Sequence, residues 1–122
     1  MTINHLNLPV TNVSEAITFF ELYFDFTCVQ TKGDNIIAVL KNEAGFTLVL
    51  MSSKMNQKGN GTYPDAFHIG FILNDIELVN KTYLKLKAGG LQLDQEPQKI
   101  RDSFGFYFYF DNLFIEVGHY LA

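Results

Sequence analysis

The phrase Ile3-Asn4-His5-Leu6-Asn7-Leu8-Pro9-Val10 returns in altered form as Ala66-Phe67-His68-Ile69-Gly70-Phe71-Ile72-Leu73, so two histidines open two similar halves. Each phrase reads as a strand, and each is followed by an Asn-x-x-Glu helix-start signal, Asn12 to Glu15 and Asn74 to Glu77. A chain written twice in this way is expected to fold as two copies of one small unit.

Alternation over residues 2–10 sets Leu6, Leu8 and Val10 on one strand face and Ile3, His5 and Asn7 on the other. Apolar residues at 13, 16, 17, 20, 23 and 24 then form one helical stripe, which Asp25 is expected to end. The runs Phe26 to Gln30, Ile36 to Leu40 and Phe46 to Met51 read as strands, divided by turn chemistry at 32–35 and 41–45. A polar, Gly-rich stretch over 53–63 is expected to link module 1 (1–52) to module 2 (64–122).

Module 2 repeats the order. A strand over 65–73 leads to a helix from Asp75 whose stripe is Ile76, Val79, Tyr83 and Leu86, closed by a left-handed cap at Ala88-Gly89-Gly90. Strands follow at Leu91 to Gln95, Ser103 to Phe110 and Leu113 to Tyr120, with 97–102 as a loop and Asp111-Asn112 as the last turn. The expected class is α+β, with two tandem β-α-β-β-β modules in one domain spanning 1–122.

Composition narrows the function. The chain has 122 residues, 48% of them hydrophobic, which suits one globular domain with a sound core. A net charge of −4 with scattered Lys and Arg lacks the footprint of a nucleic-acid or anionic-membrane binder, so a small molecule is the expected partner. Charged or amide residues interrupt every apolar run before it reaches membrane-spanning length. The lone Cys28 has no disulfide partner, and no leader-like segment precedes the first strand, so a cytoplasmic location is expected. Twelve Phe and six Tyr predict a ring-lined interior or pocket.

The tandem modules, the strands Asn4-His5-Leu6 and Phe67-His68-Ile69, and the run Phe108 to Val117 together resemble the vicinal oxygen chelate superfamily. That group includes glyoxalase I, extradiol dioxygenases, and fosfomycin- and bleomycin-resistance proteins. The resemblance implies mixed sheets that curve into a cup, the glyoxalase/bleomycin-resistance/dioxygenase fold. It also implies a divalent metal ion (Zn, Ni, Mn or Fe) held by His5, His68 and Glu116, and a homodimer. Two imidazoles and one carboxylate leave open the positions that bidentate substrate chelation needs, and the ion would polarise a chelated oxygen. The expected function is a glyoxalase-like metalloprotein that activates a small oxygenated substrate, as a lyase, isomerase or dioxygenase.

Aligning Phe46-Thr47-Leu48-Val49 with Phe114-Ile115-Glu116-Val117 makes Leu48 the counterpart of Glu116, so a symmetric four-ligand site would lack one carboxylate. Arg101 is the only arginine, and with six residues after Glu116 the C-terminal anion-binding segment of fosfomycin enzymes is not expected. The alternative is a metal-free module whose ring-lined cleft sequesters a bleomycin-like drug.

Single residues carry two readings each. His5 alone reads as a structural histidine, and in register with His68 and Glu116 as a ligand. Glu116 inside an apolar strand needs a partner to offset desolvation. Phe104, Phe106, Phe108 and Phe110 share one strand face and read as core, which leaves Tyr107 and Tyr109 opposite, where either can donate a hydrogen bond or proton to a bound oxygen. Arg101 reads as a solvated loop cation or as a fork for a carboxylate or phosphate. Cys28 reads as a buried small hydrophobe, and His119 as a surface residue on the face opposite Glu116.

Overall fold

A computed structural model describes residues 1–57 and 63–121. The chain divides into two compact units, Met1–Thr62 and Tyr63–Ala122. Of the expected link, one 3-10 turn over Ser53–Met55 is seen, and 58–62 lie outside the described residues. Among the described residues no helix is long and apolar enough to cross a membrane.

In the first unit, β1 (His5–Val10) leads to α1 (Val13–Tyr23), then β2 (Thr27–Lys32), β3 (Ile37–Lys41) and β4 (Thr47–Ser52). The sheet runs β1-β4-β3-β2, with β1 and β4 parallel and the other pairs antiparallel. Alternation buries Leu8, Val10, Ala38, Leu40, Leu48 and Leu50 against the Val13, Ala16, Phe19 and Phe20 face of α1. Each large side chain buried this way contributes roughly 1.5–3 kcal/mol. The helical stripe is turned slightly from the expected one: Phe19 is buried, while Ile17, Tyr23 and Phe24 are half-buried. Asn12 caps the helix by accepting from the Glu15 amide at 3.1 Å. Asp25, at φ 58°, takes the chain out of the helix.

The second unit repeats this order with β5 (His68–Ile72), α2 (Ile76–Ala88), β6 (Gln98–Ile100), β7 (Ser103–Phe110) and β8 (Leu113–Tyr120). Its sheet runs β5-β8-β7-β6, with β5 and β8 parallel. Val79, Tyr83 and Leu86 of α2 are buried with Phe106, Phe108, Leu113, Ile115 and Val117. Ile76, the fourth member of the expected stripe, is 40% exposed. Paired bonds, Gly90 N–H to Lys87 C=O and Leu91 N–H to Leu86 C=O, close α2 with Gly90 at φ 88°.

Several expectations are corrected. The N-cap of α2 is Asp75, not Asn74, because its carboxylate accepts from the Leu78 amide at 2.8 Å. Leu91 to Gln95 is not a strand, since the helix-closing bond engages the Leu91 amide and the chain stays irregular beyond it. The strand is β6, within the stretch expected as a loop, paired to β7 through the two-residue turn Arg101-Asp102. Cys28 is half-buried, with Sγ 3.7 Å from the Gln30 carbonyl. His119 is not a surface residue. It does lie opposite Glu116 on β8, but it is half-buried and its Nδ1 is 2.9 Å from the Leu73 carbonyl.

Candidate functional site

The middle of the second sheet gathers the chemistry. On β8, Leu113, Ile115 and Val117 point into the core, so period two sends Phe114, Glu116 and Tyr120 to the other face. On β7 the same rule buries Phe106 and Phe108 and presents Tyr107 and Tyr109. Register does the rest: Glu116 pairs with Gly70 on one side and Tyr107 on the other, and Phe114 pairs with His68 and Tyr109.

His68 and Glu116 therefore meet, with Nε2 and Oε1 3.6 Å apart. The Glu116 side chain is 23% exposed and that of His68 44%, so the pair faces a partly dried opening. The residue beside Glu116 on β5 is Gly70, where a β-carbon would make ordinary contact with Oε1 at 3.7 Å. The other ring nitrogen of His68, Nδ1, is 3.0 Å from the carbonyl oxygen of Ala66. A carbonyl only accepts, so Nδ1 carries a hydrogen and Nε2 is the nitrogen left for chemistry.

Tyr107 completes the group. Its hydroxyl hydrogen-bonds Glu116, and its pKa is raised first by burial and then by that carboxylate, with Arg101 pulling the other way. Around it the rings form a row. Tyr107 and Phe114 stack at 5.1 Å between centroids, Tyr109 lies 4.7 Å from Phe114, and His68 meets Tyr107 and Phe114 edge-on at 6.2 and 6.0 Å. Tyr109 is 57% exposed, which makes the end of the row an open platform. A hollow of about 370 Å³ beside it is lined by Tyr107, Tyr109 and Phe114 and by Gln92, Asp94, Gln95 and Gln98. A second, of about 460 Å³, brings Arg101, Tyr120, Tyr107 and Glu116 to one cleft.

In the first unit His5 stands at the exposed start of β1, paired with Thr47. Its Nδ1 is 2.8 Å from Asn4 Oδ1, which again leaves Nε2 available. The counterpart of Glu116 is corrected here. His5 pairs with Thr47 as His68 pairs with Phe114, so the position matching Glu116 is Val49, not Leu48. Leu48 is a core residue at 2% exposure, on the other face of β4. The first unit offers no carboxylate at that place under either alignment. A hollow of about 760 Å³ beside the end of α1 carries Glu21, Asp25, Lys41 and Glu43 but neither histidine nor thiol.

Within each unit taken by itself, no three His, Cys, Asp or Glu side chains among the described residues gather as a metal-holding group. His68 and Glu116 are a pair, and that pair fits an ion. Two metal bonds of about 2.0–2.1 Å at a tetrahedral angle span about 3.3 Å, close to the observed 3.6 Å. A histidine whose far nitrogen is tied to a carbonyl is also how metal-binding imidazoles are held. Reasoning from sequence missed the Ala66 carbonyl. It also treated Phe114 and Tyr120 only as parts of a strand, although period two along β8 already set them beside Glu116.

A family profile described as Glyoxalase/Bleomycin resistance protein/Dioxygenase superfamily matches residues 2–114. Among solved structures, a possible glyoxalase from Bacillus cereus is 37% identical at a TM-score of 0.78, covering 96% of this chain and 97% of that one. A genomically encoded fosfomycin resistance protein from Listeria monocytogenes is 20% identical at a TM-score of 0.75, covering 98% and 93%. A lactoylglutathione lyase from Agrobacterium tumefaciens is 16% identical at a TM-score of 0.74, covering 97% and 92%. The search of curated proteins gave no match.

Proposed function

The chain belongs to the glyoxalase/bleomycin resistance protein/dioxygenase superfamily, and on that footing we propose that it binds a divalent metal ion through His68, Glu116 and His5 to activate a small substrate with oxygens on adjacent atoms. The supporting observation is the meeting of His68 Nε2 and Glu116 Oε1 at 3.6 Å, with the Nδ1 hydrogen committed to Ala66. The Nε2 lone pair and the carboxylate oxygen face one another, and both are donor atoms that a shared cation would satisfy. The ligand types suit Zn(II), Ni(II), Mn(II) or Fe(II). When bound, such an ion supplies Lewis-acid stabilisation of negative charge developing on a chelated oxygen.

The protein's own groups have distinct tasks in this reading. Tyr107 gives its one hydroxyl hydrogen to Glu116 and so orients the carboxylate, and its raised pKa keeps that proton in place. Tyr109 and Phe114 provide a wall for an apolar or planar part of the substrate. Location in the cytoplasm and assembly as a homodimer belong to the same proposal, and Cys28 without a disulfide suits a reducing compartment.

Metal analysis after equilibrium dialysis of untagged protein tests it. The wild type is expected to hold about one ion per chain, and His68→Ala, Glu116→Gln and His5→Ala to lose most of that affinity, by about 10-fold or more each. Wild-type protein that stays metal-free would contradict this reading and leave only the contact between His68 and Glu116. The open ring platform at Tyr109 favours a second reading, sequestration of a planar drug such as bleomycin without metal. Stoichiometric quenching of Tyr fluorescence by bleomycin in chelator-treated protein would support that reading, and its absence would remove it.

A further inference from the structure

The cleft beside Glu116 contains a cation that the metal reading does not use. Arg101 sits at the tip of the two-residue β6–β7 turn with φ 54°, a left-handed conformation that Gly or Asn adopts more readily than Arg. Arg101 is in neither of the ion pairs His68–Glu116 and Lys81–Glu77. Its charge is nonetheless felt at the Tyr107 hydroxyl across the cleft. Asp102 and Glu116 also line this space, so the guanidinium is the favourable seat for an anion within it. The exposed Tyr120 hydroxyl offers a second donor on the same wall. Ser103 does not, because its hydroxyl already donates to the Ile100 carbonyl at 3.1 Å.

We propose that Arg101, with Tyr120, holds an anionic group of the substrate beside the His68–Glu116 pair, so that the substrates are small oxygenated acids bearing a carboxylate or phosphonate. This rests on the metal reading, which places the chelated oxygens at Glu116. A planar guanidinium matches either oxyanion through two parallel hydrogen bonds, which lysine or a neutral amide cannot reproduce. A hollow of about 460 Å³ is also within the range that holds such molecules. Arg101 is therefore a determinant of specificity, and the remaining oxygens of the ligand are left to the metal.

Calorimetric titration of full-length protein loaded with Mn(II) tests this with tartronate and tartronate monoamide, which share a hydroxyl–carboxylate chelating pair and differ by one charge. A third ligand, 2-hydroxyphosphonoacetate, supplies the phosphonate arm. The wild type is expected to prefer at least one doubly anionic ligand over the monoamide by about 10-fold, and the tighter of the two identifies the oxyanion. R101Q should reduce that preference to less than about 3-fold while Mn(II) stoichiometry is unchanged, and R101K should retain part of it. No preference in the wild type, or the same preference in R101Q, overturns the proposal. Wild-type protein that takes up no Mn(II) overturns the metal reading instead, and this inference falls with it.

Discussion

Gly105 and Gly118 face each other across the β7–β8 ladder, both buried, yet the room around their α-carbons differs. A β-carbon at Gly105 would collide with the carbonyl oxygen of Val117 and lie 2.8 Å from Gly118 Cα. At Gly118 the nearest atom would be the Phe104 carbonyl oxygen at 3.4 Å, an ordinary contact. Backbone atoms in a ladder cannot rotate aside, so the Gly105→Ala methyl must push β7 from β8. The expected cost is about 3 kcal/mol, the upper end for overpacking, or roughly 10 °C in Tm for a chain of this size. Gly118→Ala should fall within about 1 kcal/mol of wild type, because reduced freedom of the unfolded chain offsets the tighter packing. Urea and thermal unfolding followed by circular dichroism measure both. The same ladder holds Tyr107 opposite Glu116, so Gly105→Ala should also weaken metal uptake. Equal stability of the two variants would refute the claim that close β7–β8 approach at Gly105 shapes this sheet.

Phe106→Ala removes a ring that is 2% exposed and packed edge-on against Tyr83, and should cost about 3–5 kcal/mol in urea unfolding; a loss below about 1 kcal/mol would mean the second core collapses without a void. Tyr63 has a pKa pushed up to about 12, first by burial and then by Asp111, from an ordinary value of 10.0. Its stabilising contribution is therefore fully present below pH 10 and lost as pH rises through about 12. Unfolding midpoints should fall less steeply over that window in Tyr63→Phe than in wild type, and parallel curves would contradict the assignment. Glu116→Gln removes a charge that disfavours the Tyr107 phenolate, so the Tyr107 pKa should move down yet stay above its ordinary value, burial being the larger cause. Ring-carbon NMR titration of labelled tyrosine resolves this, and an unchanged value would break the proposed contact.

Most of the fold was legible because the repeat and the two periods agree with each other. The stripe in α1, the alternation along β8 and the Asn12 cap each carry one local cause that the sheet and helix then satisfy. β6 was not legible, because Gln98-Lys99-Ile100 has one apolar residue and is an edge strand held by its hairpin partner. Leu91-Gln-Leu-Asp-Gln has the better alternation but no partner, since the closing turn of α2 engages its first amide. Register failed for a related reason. Leu48 and Val49 are both apolar, and only pairing to β1 tells which faces the core. At the site, Glu116 and His68 stood out by residue type, whereas the carbonyl of Ala66 that fixes the imidazole is a backbone group that no side-chain pattern reveals.

The most direct measurement is an anomalous difference map from a crystal soaked in Mn(II), with data collected where manganese scatters strongly. A peak about 2.0–2.3 Å from both His68 Nε2 and Glu116 Oε1 is expected, with His68 Nδ1 still donating to the Ala66 carbonyl. A map featureless there, at full soak and with both side chains ordered, would contradict the shared-ion account and reduce the pair to a salt bridge.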